Sequence, residues 1–236
     1  MSQACILPQA PRLPHRRHRL PLGKDVSHNT KVRNMNDEIA KITAALNAAI
    51  ESLQALEQRE KEIIKPEMVV IPSGTFTMGS DDSEYDNEKP AHEVTVKSFE
   101  AGKYPVTFKE YDMFCEDTGK EKPEDMGWGR DNRPVINVSL YDAMEYCKWL
   151  NKKLGLSEEE GYRLLTEEEW EYAYRAGSTG EYPFPFKDID EYAWHYGNAN
   201  DQTHPVGEKK PNPWGLYDTA GNVWEWTSTK YEKYRK

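Results

Sequence analysis

The sequence predicts an α+β domain that is rich in irregular loops and is preceded by one long helix. Its 236 residues include 15 Gly, 15 Pro and 11% aromatic residues, which suits a loop-rich domain anchored by large side chains. A few short strand patterns come before three capped helical segments, without the strand–helix alternation of a doubly wound sheet. The sequence has no run of about 18 apolar residues, so no membrane span is predicted.

Charge divides the sequence near Met35. Residues 1–34 carry a net charge of +6, which leaves −16 for the rest of a chain whose total is −10. The proline- and arginine-rich first part predicts a disordered tail; a transit peptide and a true start at Met35 are the alternatives. The acidic remainder argues against a nucleic-acid partner, and the absence of a secretory apolar core favours a cytoplasmic protein.

Residues 36–65 are predicted to form one helix. Asn36 or Asp37 can cap its start, and Pro66 ends it. Its apolar residues recur every three or four positions over about four heptads, at Ile39, Ile42, Leu46, Ala49, Leu53, Leu56 and Ile63. Such a seam favours a short coiled coil and a homo-oligomer, while packing of the helix on its own domain is the alternative.

Short strands are predicted at the start of the domain, near residue 67. The apolar patterns place them at 68–71, 75–78 and 93–99. The Pro72-Ser73-Gly74 tripeptide predicts a turn between the first two strands.

Three helices follow, and each has a recognisable N-cap. Thr107 with Glu110, and Thr166 with Glu169, match the capping box, in which the cap residue and the third helical residue exchange hydrogen bonds. Ser139 is expected to cap the helix between them. Loops without a further long helix are predicted for the remaining C-terminal part.

Five stretches make the domain resemble a known family. They are MVVIPSGTFTMGS (68–80), NEKPAHEVTVKSF (87–99), RPVINVSLYDAMEYCKWLNKKLG (133–155), YRLLTEEEWEYAYRAG (162–177) and NPWGLYDTAGNVWEWTS (212–228). In order and spacing they are similar to the sulfatase-modifying factor domain of the formylglycine-generating enzymes. The resemblance implies a variant of the C-type lectin fold, and residues 67–236 are expected to form an incomplete domain of this type.

The resemblance also implies a chemistry. Formylglycine-generating enzymes oxidise a sulfatase cysteine to formylglycine with oxygen and copper, using a C-terminal pair of cysteines whose soft thiolates suit cuprous copper. The segment with that pair is expected to be missing after Lys236, so no catalytic residue and no copper site are predicted. Cys115 and Cys147 fall on core-facing helix stripes, and Cys5 falls in the tail. The alternative is a non-catalytic, calcium-stabilised display module that binds a peptide or protein ligand.

The resemblance implies calcium in the loop 212–228. The expected ligands are a side-chain oxygen of Asp218, the backbone carbonyls of Gly221 and Val223, and the Glu225 carboxylate. These hard oxygen atoms suit calcium, and the glycine is expected to permit an unusual backbone angle. A second implied site includes Asn198 and the Ala199 carbonyl, while a polar loop satisfied without metal is the alternative. The three tryptophans of the loop are expected to anchor the core rather than to line a ligand groove.

Overall fold

The computed structural model describes residues 26–230, with side chains described for residues 34–54 and 63–230. The chain divides into two compact units, residues 1–56 and 57–236. Helix α1, Val26–Glu62, forms the described part of the first unit and ends within the second. None of the helices in the described part of the chain is long and apolar enough to cross a membrane.

Helix α1 has different limits from those predicted. It begins at Val26 instead of residue 36 and ends at Glu62 instead of residue 65. The earlier start follows because this segment contains neither proline nor glycine, the residues that disfavour a helix most. Residues 26–34, predicted to belong to a disordered tail, are therefore helical, and residues 1–25 of that tail lie outside the described residues.

Four strands form one long, bent antiparallel hairpin. Strand β1 (Met68–Ile71) pairs with β4 (Phe99–Gly102), and β2 (Gly74–Met78) pairs with β3 (His92–Val96). The two ladders are separate sheets, because the chain bends between them at residues 72–73 and 97–98. The prediction of one strand over 93–99 is therefore wrong. At the bend, the Ser98 hydroxyl donates to the Ile71 carbonyl at 2.8 Å.

Three helices of the domain begin at the predicted caps. They are α2 (Phe108–Thr118), α3 (Leu140–Leu154) and α4 (Glu167–Arg175). The short helix α5 (Ile189–Tyr192) follows them and has no side-chain cap. The caps of α2, α3 and α4 are Thr107, Ser139 and Thr166. Each cap side chain accepts a hydrogen bond from the backbone N–H three residues later, and the acidic side chain at that later position accepts one from the backbone N–H of the cap residue. These reciprocal bonds satisfy N–H groups that every helix start leaves open.

Two apolar clusters stabilise the domain. The first joins the hairpin to α4 and the C-terminal loop through Ile71, Val96, Ala101, Tyr172, Ala173 and Leu216. The second joins α2 to α3 through Tyr111, Phe114, Cys115, Tyr146, Trp149 and Leu150. Cys147 packs against the second cluster, so both cysteines of the described domain face the core, as predicted. Leu216 ties the loop 212–228 to the first cluster and so positions the candidate site.

Candidate functional site

The loop 212–228 is anchored by the buried side chain of Asn212. Its amide donates to the carbonyls of Ala173 at 2.8 Å and Tyr174 at 3.3 Å, at the end of α4. Its side-chain oxygen accepts from the N–H groups of Trp214 at 3.0 Å and Leu216 at 3.1 Å. These four bonds use the full hydrogen-bonding capacity of an asparagine side chain, and they hold the start of the loop against the helix.

Asp218 is the buried acid of this loop. It is only 3% exposed, and its backbone is left-handed, with φ of +59°. Its carboxylate accepts from the N–H of Gly207 at 2.8 Å and from the side-chain amide of Asn222 at 3.3 Å. Burial nevertheless raises its pKa above the ordinary value, because these neutral donors only partly replace hydration. A bound cation would stabilise the ionised form of this group.

Asn222 connects the loop to the preceding segment of chain. Its side-chain oxygen accepts from the N–H of His204 at 2.9 Å, and its amide donates to the His204 carbonyl at 3.0 Å as well as to Asp218. Its own backbone is left-handed, with φ of +68°. Sequence reasoning missed this residue, although an asparagine is one of the few non-glycine residues that adopt such an angle readily.

Gly221 is required by close packing rather than by an unusual backbone angle. A side chain at this position would place its Cβ 2.2 Å from the carbonyl oxygen of Trp194. The left-handed residues around it are instead Asp218 and Asn222, so the predicted reason for this glycine is wrong. The Gly221 carbonyl accepts from the N–H of Val223 at 2.9 Å, which closes a tight turn.

Glu225 reaches a small cavity beside α4. The residue as a whole is exposed, but it helps to line a cavity of about 40 Å³ together with Trp170 and Thr219. The indole N–H of Trp170 donates to Oε2 at 3.0 Å. Burial of the carboxyl group raises the pKa of Glu225 to about 6, and the charge of Asp218 adds to that rise. The space is large enough for one water molecule or a small ion.

The implied second site has a different character. The Asn198 side-chain oxygen accepts from the N–H of His195 at 2.8 Å. The Ala199 carbonyl lies 2.9 Å from Nε2 of His204. Both oxygens are therefore used within the protein, and a cation there would have to replace these bonds.

Acidic side chains alone do not form a complete metal site in the described chain. Within residues 34–54 and 63–230, whose side chains are described, no three His, Cys, Asp or Glu side chains converge on one point. The structure does bring Asp218 and Glu225 close enough for their charges to interact. A cation between them would take its remaining ligands from backbone oxygens, as at Gly221 and Val223, and from water.

The two cysteines of the described domain are held in unreactive surroundings. Cys115 is 1% exposed, and its thiol lies 3.6 Å from the carbonyl of Glu121. Burial raises the pKa of the Cys115 thiol and raises that of Cys147 to about 11. The thiolate is the nucleophilic and metal-binding form of cysteine, so burial works against both roles.

The three tryptophans of the loop divide between core and surface. Trp214 packs edge-on against Tyr172, with ring centroids 4.8 Å apart, as expected for a core residue. Trp224 is fully exposed, and Trp226 is 52% exposed, so the core prediction is wrong for both.

A larger recess follows α4. This aromatic groove has a volume of about 430 Å³ and is lined by Gly180, Glu181, Tyr182, Phe184 and Phe186. The Tyr182 ring lies 5.8 Å from that of Phe184 and 5.3 Å from that of Phe186. Phe184 in turn stacks on Tyr192 of α5 at 4.4 Å. Phe186 remains 64% exposed, so the groove presents an aromatic face to solvent.

Hydrogen bonds from α4 and the following turn fix one wall of the aromatic groove. The Tyr174 hydroxyl donates to the Glu181 carbonyl at 3.0 Å, and Arg175 donates to the Gly180 carbonyl at 3.0 Å. Sequence reasoning missed this groove. The available signal was the run YPFPF at 182–186. Its alternating prolines restrict the backbone and separate the three aromatic residues.

Comparison with known proteins decides the family. A model described as "Sulfatase-modifying factor enzyme 1-like domain" matches residues 53–236. The chain belongs to the sulfatase-modifying factor family. It is 31% identical over 224 residues to the formylglycine-generating enzyme of Mus musculus, covering 68% of this chain and 57% of that relative. The chain therefore spans less than two thirds of that enzyme.

Two further family relatives bear on fold and activity. The inactive C-alpha-formylglycine-generating enzyme 2 of Mus musculus is 33% identical over 225 residues, which cover 71% of this chain and 70% of that protein. The structure of PvdO from Pseudomonas aeruginosa superimposes with a TM-score of 0.60 at 39% identity, over 71% of this chain and 72% of PvdO. The fold is thus of the formylglycine-generating type, as expected. The likeness to C-type lectins stays a prediction.

Proposed function

We propose that the domain from Met68 onward is a non-catalytic, calcium-stabilised binding module of the sulfatase-modifying factor family, and that its aromatic groove binds a basic peptide segment. The observation that carries this proposal is the groove itself, in which the exposed ring of Phe186 and the half-buried ring of Tyr182 lie beside the acid Glu181. The recess of about 430 Å³ is open to solvent on its outer side, so it suits one segment of a larger ligand rather than an enclosed small molecule.

The chemistry of the aromatic groove favours a positively charged ligand. Aromatic faces attract the ammonium of lysine and the guanidinium of arginine, and Glu181 supplies an opposite charge. The residues after position 34 carry a net charge of −16, which attracts basic partners over longer distances. A segment with arginines on either side of an apolar residue satisfies both features.

The groove is tested by titrating the chain calorimetrically with two capped tripeptides, Arg-Leu-Arg and Glu-Leu-Glu. We expect the arginine peptide to bind and the glutamate peptide not to bind. Phe186→Ala should weaken binding about tenfold, because a desolvated cation–π contact is worth roughly 0.5–2 kcal/mol. Tyr196→Ala removes a 94% exposed ring outside the groove and is the matched control. Equal affinity of the two peptides, or no effect of Phe186→Ala, would refute the proposed ligand.

Calcium is proposed at the loop 212–228. Asp218 and Glu225 would hold it, with the carbonyls of Gly221 and Val223, and the ion would supply the positive charge that these two carboxylates lack. Their raised pKa values support this assignment, since each carboxyl is costly to ionise without a cation. Asn198 and Ala199 remain the proposed ligands of a second, weaker site.

Calcium binding is tested by thermal unfolding with and without the ion. Calcium should raise the Tm of the unmodified chain, because a ligand that binds only the folded state stabilises that state. Asp218→Asn should abolish the rise, whereas Asp82→Asn, which changes an exposed acid outside the loop, should leave it intact. A rise that persists in Asp218→Asn would place the ion elsewhere.

The second candidate function is cysteine oxidation, which the similarity to the mouse formylglycine-generating enzyme favours. Burial of Cys115 and Cys147, with raised thiol pKa values, supports the non-catalytic alternative instead. The two are distinguished by incubating the chain with copper, oxygen and a cysteine peptide from a sulfatase. We expect no aldehyde product by mass spectrometry, and formation of formylglycine would favour the enzyme.

A further inference from the structure

Helix α1 displays a stripe of large apolar side chains to solvent. The stripe consists of Met35, Ile39, Ile42, Leu46, Ile50 and Leu53, which are between 43% and 69% exposed. Successive members are three or four residues apart, which places all of them on one face of an α-helix. Single exposed apolar residues are ordinary in proteins, but a continuous row of six marks an interaction surface.

Charge is nearly absent from the face that carries this stripe. Between residues 34 and 54 the charged side chains are Asp37, Glu38, Lys41 and Glu51. With 3.6 residues per turn, Asp37, Lys41 and Glu51 fall on the opposite face of the helix, and only Glu38 borders the stripe. A second apolar helix could therefore cover the stripe while burying at most one charged group.

We propose that the α1 stripe binds the same stripe of a second copy of this chain. Because the stripe is uncharged along nearly its full length, two copies can approach without repulsion between like charges. The spacing is that of the apolar seam of a coiled coil. Six half-exposed side chains offer on the order of 600 Å² per copy, against the roughly 800 Å² per partner of a standard interface. The stripe alone thus provides most of the area that a stable pair requires.

The opposite face of α1 argues against a membrane surface as the occupant. Helices that lie on membranes carry lysines and arginines on their polar face, which anionic lipids attract. In the stretch 34–54 the acids Asp37, Glu38 and Glu51 outnumber the single base Lys41. The polar face of this stretch therefore lacks the basic residues through which anionic lipid attracts a helix.

The test is analytical ultracentrifugation of the full chain over a wide range of concentrations. Ile42→Glu/Leu46→Glu places two charges within the stripe, and Ala40→Glu/Ala44→Glu places the same two charges on the opposite face. We expect the unmodified chain and the Ala40/Ala44 variant to self-associate equally. The Ile42/Leu46 variant should remain monomeric, with a dissociation constant raised more than about 100-fold, because its charges would be buried without partners.

Circular dichroism of both variants shows whether the helix itself has been lost, since each has the same two helix-compatible substitutions. A monomeric unmodified chain would overturn the proposal, as would equal dissociation of the two variants. A third outcome is a monomer whose Tm falls only in Ile42→Glu/Leu46→Glu, which would mean that the stripe packs within one chain. Sedimentation of the unmodified chain with phosphatidylserine vesicles would point to a membrane instead and would also overturn it.

Discussion

Gly221 packs its backbone against the carbonyl oxygen of Trp194. Gly221→Ala would place a Cβ 2.2 Å from that oxygen, so the loop must move to accept it. We expect the free energy of unfolding to fall by about 2–3 kcal/mol, as for other overpacked sites, and urea denaturation measures it. In the control Gly180→Ala, the added Cβ lies 3.5 Å from its neighbours, and the change should be within about 0.5 kcal/mol. Equal losses would contradict the assigned role.

Glu225 makes stability depend on pH in an unusual direction. Its pKa is raised from 4.5 to about 6 in the folded chain, so between these values the folded state binds more protons than the unfolded state. Its stabilising effect is therefore complete below pH 4.5 and is lost as pH rises through 6. With a chelator present, we expect the Tm of Glu225→Gln not to show this decline as the pH rises through 6. Parallel Tm profiles of the two proteins would disprove the assignment.

Family resemblance locates the acids of the site, but the sequence does not reveal their surroundings. Asn222, one partner of Asp218, lies four residues away. Gly207, its other partner, lies 11 residues away, and Trp170, the partner of Glu225, lies 55 residues away, so folding brings both of them near. The two shifted pKa values arise from burial, which no local pattern reports. The residue types were therefore predictable, whereas their electrostatic state was not.

Helix α4 links the first apolar cluster to the candidate calcium site. Its capping residue Thr166 accepts from the N–H of Glu169 at 3.2 Å, and one turn into the helix Trp170 donates to Glu225. We expect Thr166→Ala to lower the free energy of unfolding by about 1 kcal/mol, as measured in urea. Thr166→Ser keeps the capping oxygen and should match the unmodified chain. A serine variant as unstable as the alanine variant would show that the cap is not the cause.

Whether an element was predictable depends on where its stabilising contacts come from. The starts of α2 and α4 were predictable because a capping box lies within four consecutive residues, and the start of α3 because Ser139 is a favoured cap residue. The break between β3 and β4 was not, because it follows from pairing with two different strands. The predicted start of α1 lies too late in the sequence because Asn36 and Asp37 are both residues that commonly cap a helix. A helix continues through such residues when nothing before them breaks it.

At the scale of the whole molecule, the uneven charge bears directly on binding. Composition alone assigns +6 to residues 1–34 and −16 to the remainder. It therefore predicts attraction of basic partners, but it does not locate them. The structure adds the location, since Glu181 lies beside the exposed ring of Phe186 in the aromatic groove. Long-range charge and local aromatic contact then act on the same ligand at different distances.

These two contributions can be separated by salt. Raising the ionic strength from about 0.01 M to about 0.15 M shortens the Debye length from roughly 30 Å to roughly 8 Å, which screens the distant acids but not a cation held against a ring. We expect the affinity for Arg-Leu-Arg to fall about tenfold over this range, mainly through slower association. Phe186→Ala should bind more weakly at both ionic strengths yet keep the same salt dependence. If the affinity of the unmodified chain does not change with salt, the acidic field plays no part in recognition.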